Sequence, residues 1–189
     1  LQEEFFNLIK EEYNKSGFAV LGPKIYLLKN QINPVNLNSL SIQRIKKELR
    51  SDSLNLFFSY MGLYQLYTNT KKWIKKLLKK NIVQNLADVN TYYKNIILHG
   101  CCLIFSPIYV EKFNGLDERT FLYHEEELLF YRLQKNKMIS VYNPKIEIFH
   151  AEDSATNAIT VTDRKKRIFV YKNKIKSGKI LYYELKRGQ

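Results

Sequence analysis

HGCCLIFSPIYVEKFNGLDERTFLYHEEELLFYRLQKNKMISVYNPKIEIFHAEDS, residues 99–154, is the stretch that sets the architecture of this 189-residue chain. Its opening belongs to an apolar run, Ile96–Phe105, which holds no charged residue and has the length of a buried strand. Pro107 and the Asn114-Gly115 pair then mark turns. An acidic triplet, Glu125-Glu126-Glu127, follows between aromatic residues and leucines. Last, Ile146-Glu147-Ile148-Phe149 alternates as a half-buried strand does and delivers His150 at its end. Carboxylates and a histidine held by two hydrophobic segments are what a polar active site requires. An ordinary amphipathic helix after a strand shows the same pattern, so spacing alone leaves both readings open.

Composition bounds the remainder. Hydrophobic residues make up 45% of the chain, which places it among globular rather than disordered proteins. With 189 residues, one domain with a real core is expected. The first residues, LQEEFFNLIKEEYNK, contain neither an initiator Met nor a basic-then-apolar leader, so an excised piece of a longer cytoplasmic protein is expected. No apolar run reaches the roughly 20 residues that span a bilayer. Cys101 and Cys102 are adjacent and lie in the most apolar segment, where reduced core thiols are expected. The net charge of +13 favours polyanionic partners: nucleic acid, an anionic membrane surface or phosphate-bearing substrates.

Along the chain, residues 1–15 have helical apolar spacing, with Glu3 and Glu4 expected in the first turn and Ser16-Gly17 as the stop. Phe18–Leu21 reads as a short buried strand closed by Gly22-Pro23, and Asn33-Pro34 as a turn. Ser41–Leu49 is a helix or an irregular segment. Residues 54–82 form an aromatic and then basic insertion. Within it, Thr70–Asn81 reads as a helix centred on KKWIKKLLKK. At about 100° per residue, Trp73, Ile74, Leu77 and Leu78 fall within an arc of about 140°, and lysines fill the rest. Such a helix suits an anionic membrane surface, with Lys71–Lys80 as its contacts; an apolar stripe docked on the protein's own domain is the other reading. Residues 156–189 read as a basic tail, with a possible strand at Thr156–Thr162 and a helix at Ser177–Arg187 capped by Ser177.

The central stretch resembles the second half of the catalytic domain of family 2 glycosyltransferases of GT-A type, the rhamnosyltransferase-like enzymes of bacterial polysaccharide synthesis. His99-Gly100-Cys101-Cys102-Leu103-Ile104 is similar to that family's small-residue segment and strand. Gly115-Leu116-Asp117-Glu118, Phe121-Leu122-Tyr123, Glu125-Glu126, Leu129 and Arg132 follow its "GFDE.FFLY.ED.DL..R" pattern. Pro144, Ile148, His150 and Ser154 match the closing segment, and Gly22-Pro23-Lys24-Ile25 extends the likeness upstream. Glu126 replaces the usual Asp and keeps the carboxylate; Leu128 replaces a later acid and removes it.

The resemblance implies an α/β fold, a partial GT-A mixed sheet flanked by helices, with the nucleotide-binding half and its DxD motif absent. It implies an inverting transferase that moves a sugar from a nucleotide-sugar donor to a glycan or lipid-linked acceptor. Glu126 would be the catalytic base with Glu125 beside it. Gly100, Tyr123, His124 and Asp117 would line the acceptor side, and His150 would meet a divalent cation (Mg or Mn) or the diphosphate. Glu127 is read instead as a solvated helix-start acid. The implied location is cytoplasmic, peripheral on the inner face of the plasma membrane. The alternative is a non-enzymatic basic module for anionic membrane or nucleic acid, although no nucleic-acid motif is visible and none is expected as partner. Residues 1–189 alone are expected to transfer no sugar; calorimetry that finds tight nucleotide-sugar binding to them would overturn this.

Overall fold

A buried parallel pair of strands forms the centre of a four-stranded mixed sheet. The structure, a computed structural model, describes residues 4–27, 32–33, 35–37, 40–77, 86–150 and 163–188. The described elements are α1 (Phe5–Ser16), β1 (Val20–Tyr26), β2 (Val35–Asn36), α2 (Ile42–Tyr60), α3 (Tyr64–Leu77), β3 (Leu86–Ala87), β4 (Tyr93–Lys94), β5 (Ile104–Phe105), α4 (Pro107–Phe113), α5 (Glu125–Lys135), β6 (Ser140–Phe149) and α6 (Asp163–Arg187). They divide into two compact units. The sheet unit holds Leu1–Leu40, Asn85–Glu118 and Glu125–Glu152; the helical unit holds Ser41–Gln84, Arg119–His124 and Asp153–Gln189.

In the sheet unit the strand order is β4-β6-β1-β5. β1 runs parallel to β6 and antiparallel to β5, while β4 is antiparallel to β6. The first six residues of β1 are buried, as expected of a strand covered on both faces. Side-chain alternation sends Val20 and Tyr142 to one face, with Leu129 and Leu133 of α5 and Tyr109 of α4. Leu21, Val141, Ile146 and Ile148 go to the other, with Phe5 of α1.

Three expectations are corrected here. β1 does not close at Gly22-Pro23 but runs through it; the ladder absorbs the proline by a register shift between Pro23 and Lys24. Ile96–Phe105 is not a strand: only Ile104–Phe105 pairs. Asn95 has φ 55° and a turn falls at Gly100-Cys101, so Ile96 and Leu98 are buried from irregular backbone. α1 begins at Phe5, which leaves Glu4 at its N-cap rather than in its first turn, and Gly17 ends it in the left-handed conformation. Glu3, Pro34, Leu78–Asn81 and Thr156–Thr162 lie outside the described residues.

In the helical unit, α2 carries Ser41 as N-cap, whose Oγ accepts from the Arg44 N–H at 3.4 Å. α3 starts earlier than the lysine pattern indicated. α6 is one unbroken helix, so Ser177 is not a cap. It is buried mid-helix with its Oγ donating to the Leu122 carbonyl at 3.3 Å. Beside it, a Cβ on Gly178 would come within 3.0 Å of Leu49 in α2. Close helix packing thus outweighs the roughly 1 kcal/mol that an interior glycine costs.

The turn after α4, with Asn114 in the left-handed conformation, is fastened by Arg132 of α5. Its guanidinium donates to the Gly115 carbonyl at 3.0 Å, Tyr109 Oη at 3.1 Å and Asp117 Oδ2 at 3.0 Å. Both charged side chains are largely shielded from water. Arg132→Met should cost about 3 kcal/mol in chemical denaturation because it strands Asp117, and adding Asp117→Leu should recover part of the loss. A single-variant loss below about 0.5 kcal/mol, the scale of an exposed pair, would show that this ion pair is not what holds the turn.

Candidate active site

The sheet unit contains a cavity of about 190 Å³ beside the parallel strand pair. Gly22, Pro23 and Ile25 of β1 and Tyr142 of β6 form one wall, and Ile96–His99 another. Glu126 and Glu127 project from the first turn of α5. The lining is apolar apart from a few convergent polar groups, the usual make-up of a small-molecule site.

Glu126 is held from below. Its Oε1 accepts from the Gly100 N–H at 3.1 Å, and the N-terminal end of α5 favours its charge. Gly100 leaves room for this approach: a Cβ there would meet the Glu126 carboxylate, which would have to shift. His99, next in sequence, turns Nδ1 toward the Cys101 N–H at 3.3 Å. Nδ1 is therefore the acceptor, and the neutral ring carries its proton on Nε2. Burial pushes the His99 pKa below its ordinary value; the Glu126 charge opposes this and His150 reinforces it. His99 as a whole residue is solvent-accessible, so the burial concerns the ring's immediate surroundings. Gly100 and Glu126 thus lie beside His99, while His150 does not line the cavity. His150 is fixed by its N–H donating to the Tyr26 carbonyl at 2.8 Å.

No protein-family model, curated protein or solved structure matches this chain.

The other expected site residues are placed elsewhere. Asp117 forms the ion pair with Arg132 and is not on the cavity wall. Glu125 opens α5 beside Glu126. Tyr123 and His124 belong to the helical unit, where the Lys174 ammonium sits 5.0 Å from the Tyr123 ring centre. Leu122, Tyr123 and His124 have φ of 56°, 73° and 64°, three successive left-handed residues without a glycine. Each such residue costs on the order of 1–2 kcal/mol. Glu127, read from sequence as a solvated helix-start acid, stands in the first turn of α5, half-buried on the cavity lining. His99, to which the motif gave no role, lines the cavity as well; its signal was adjacency to the glycine that meets the Glu126 carboxylate. Both thiols are free, and burial, first among its causes, raises Cys101 to about 11, so neither is a ready nucleophile.

Among the described residues no three His, Cys, Asp or Glu side chains come together as a metal-binding group. No step below is routed through the divalent cation that the resemblance implies. What the site can do is accept a proton: a carboxylate and a neutral imidazole face one small cleft. Proton NMR should find His99 titrating below the ordinary 6.5. Glu126→Gln should lower it further, because that charge favours the imidazolium. A His99 pKa that rises in this variant would show that the two groups do not interact. Gly100→Ala should displace Glu126 and shift His99 in the same direction.

Proposed function

We propose that this chain is the acceptor-side part of an inverting glycosyltransferase of GT-A type, acting on a nucleotide-sugar donor and a glycan or lipid-linked acceptor. The observation that carries the reading is Glu126: the carboxylate that occupies the base position of the resembled motif lies in a cavity and is oriented by the Gly100 N–H. In the reaction the acceptor oxygen attacks the anomeric carbon and its proton passes to Glu126. The bond from that carbon to the diphosphate breaks, and the nucleoside diphosphate leaves with the electron pair. A positioned base of this kind contributes about 10²–10⁴-fold. His99, neutral and accepting at Nδ1, presents its Nε2–H for a substrate oxygen. Mixed parallel and antiparallel pairing around β1 supports an α/β scaffold of the proposed kind.

Glu126→Gln, measured in the intact transferase, should lower turnover about 10²-fold or more while leaving donor binding and thermal stability nearly unchanged. Glu111→Gln on the exposed face of α4 serves as the control, since Glu127 shares the cavity. Full activity in Glu126→Gln would remove Glu126 as the base.

A further inference from the structure

α3 faces outward with the side that sequence logic would turn inward. Its inner face is made of Tyr64, Tyr67, Thr68 and Lys71. Tyr64 Oη meets Tyr171 Oη at 2.9 Å, Tyr67 stacks on Phe58 at 4.3 Å, and Lys71 Nζ donates to Ser51 Oγ at 3.1 Å. The stripe left outside is Leu66 (63% exposed), Trp73 (63%), Ile74 (49%) and Leu77 (62%). At about 100° per residue these span an arc of roughly 100°, with Lys72 and Lys76 along one border. The turn that leads into α3 adds Met61 and Leu63, both exposed. Isolated exposed apolar residues are ordinary, but an aligned stripe of this size on one helix is not.

Charge identifies the occupant. The helical unit carries 21 Lys and Arg against 5 Asp and Glu, a net of +16, whereas the sheet unit carries 10 against 13, a net of −3. The whole positive charge of the protein therefore resides with the exposed stripe. We propose that the helical unit docks on an anionic lipid surface, α3 lying in the interface with Leu66, Trp73 and Leu77 in the acyl boundary and Lys72 and Lys76 at the headgroups. A nucleic-acid backbone would satisfy the lysines and leave the apolar stripe in water. A second copy of this chain would cover the stripe only by bringing two strongly positive units together. A lipid surface answers both features at once. No helix among the described residues is long and apolar enough to cross a membrane, so the contact is peripheral. This inference does not depend on the glycosyl-transfer reading.

Trp73 is the chain's single tryptophan, so its fluorescence reports this face alone. With the full chain and phosphatidylcholine vesicles that contain roughly 30% phosphatidylserine, Trp73 emission should shift to the blue and be quenched by brominated acyl chains. Pure phosphatidylcholine should bind at least about tenfold more weakly, and salt should weaken binding to the anionic vesicles. Leu66→Gln with Leu77→Gln, both on exposed positions, should reduce co-sedimentation about tenfold with an unchanged circular dichroism spectrum. Vesicle binding without a Trp73 response would overturn the proposal, as would absence of vesicle binding in the unmodified chain. A blue-shifted Trp73 without lipid, together with a concentration-dependent dimer in sedimentation, would assign the stripe to a second copy. Tight RNA binding with no Trp73 response to vesicles would assign the charge to nucleic acid.

Discussion

The parallel pairing of β1 with β6 is the constraint on which the sheet unit depends, and it is made across two prolines. Pro23 has no N–H to give the ladder, a defect normally confined to edge strands. Here Pro23 pairs with Asn143 and Lys24 with Glu147, so three residues of β6, Pro144 among them, are passed over and pairing resumes. The bulge is pinned from both sides. Asn143 Oδ1 accepts from the Lys145 N–H at 2.9 Å, and Asn143 Nδ2 donates to Glu12 Oε2 of α1 at 2.9 Å. Glu12 is only 4% exposed, and its other oxygen accepts from Tyr92 Oη at 2.7 Å. Burial, and then this carboxylate, push the Tyr92 phenol up to about 12. A buried acid in α1 thereby fixes the strand geometry that sets Pro23 and Tyr142 on the cavity wall.

Much of this could be read from the chain, and what could not has identifiable causes. α1 and the end of β6 followed from hydrophobic period, and the start of α5 from its acidic triplet, with Gly17 and the Asn114-Gly115 turn as further local signals. Of the expected site residues, Glu126 and Gly100 lie together because an acidic first turn sits against a glycine. The failures are places where tertiary packing overrode a local signal. Ser177-Gly178 looked like a helix boundary but is where α6 admits Leu49 and Leu122. Ile96–Phe105 looked like a strand because apolar content does not distinguish a ladder from irregular core backbone. Asp117 carried the motif's acid, yet pairs with an arginine fifteen residues on, a contact that no period encodes. The charge was legible as a total but not in its placement, since the units are assembled from interleaved segments.

That interleaving also governs the order in which the protein can be made. The chain passes between units at 40/41, 84/85, 118/119, 124/125 and 152/153. α2, which ends at Tyr60, finds its helical partner α6 only after residue 163. At ribosomal rates of about 5–20 residues per second, α2 and α3 therefore wait on the order of ten seconds for the segment that completes their unit. Closing so long a loop adds little entropy beyond a shorter one, so the delay is kinetic rather than energetic. Likewise β1 waits for β6 before its ladder exists. During synthesis the first half of the chain is an unpaired buried strand followed by two half-covered helices. A stop codon before Asp163 would leave α2 permanently without that partner, while β1 and β6 would still be present to pair.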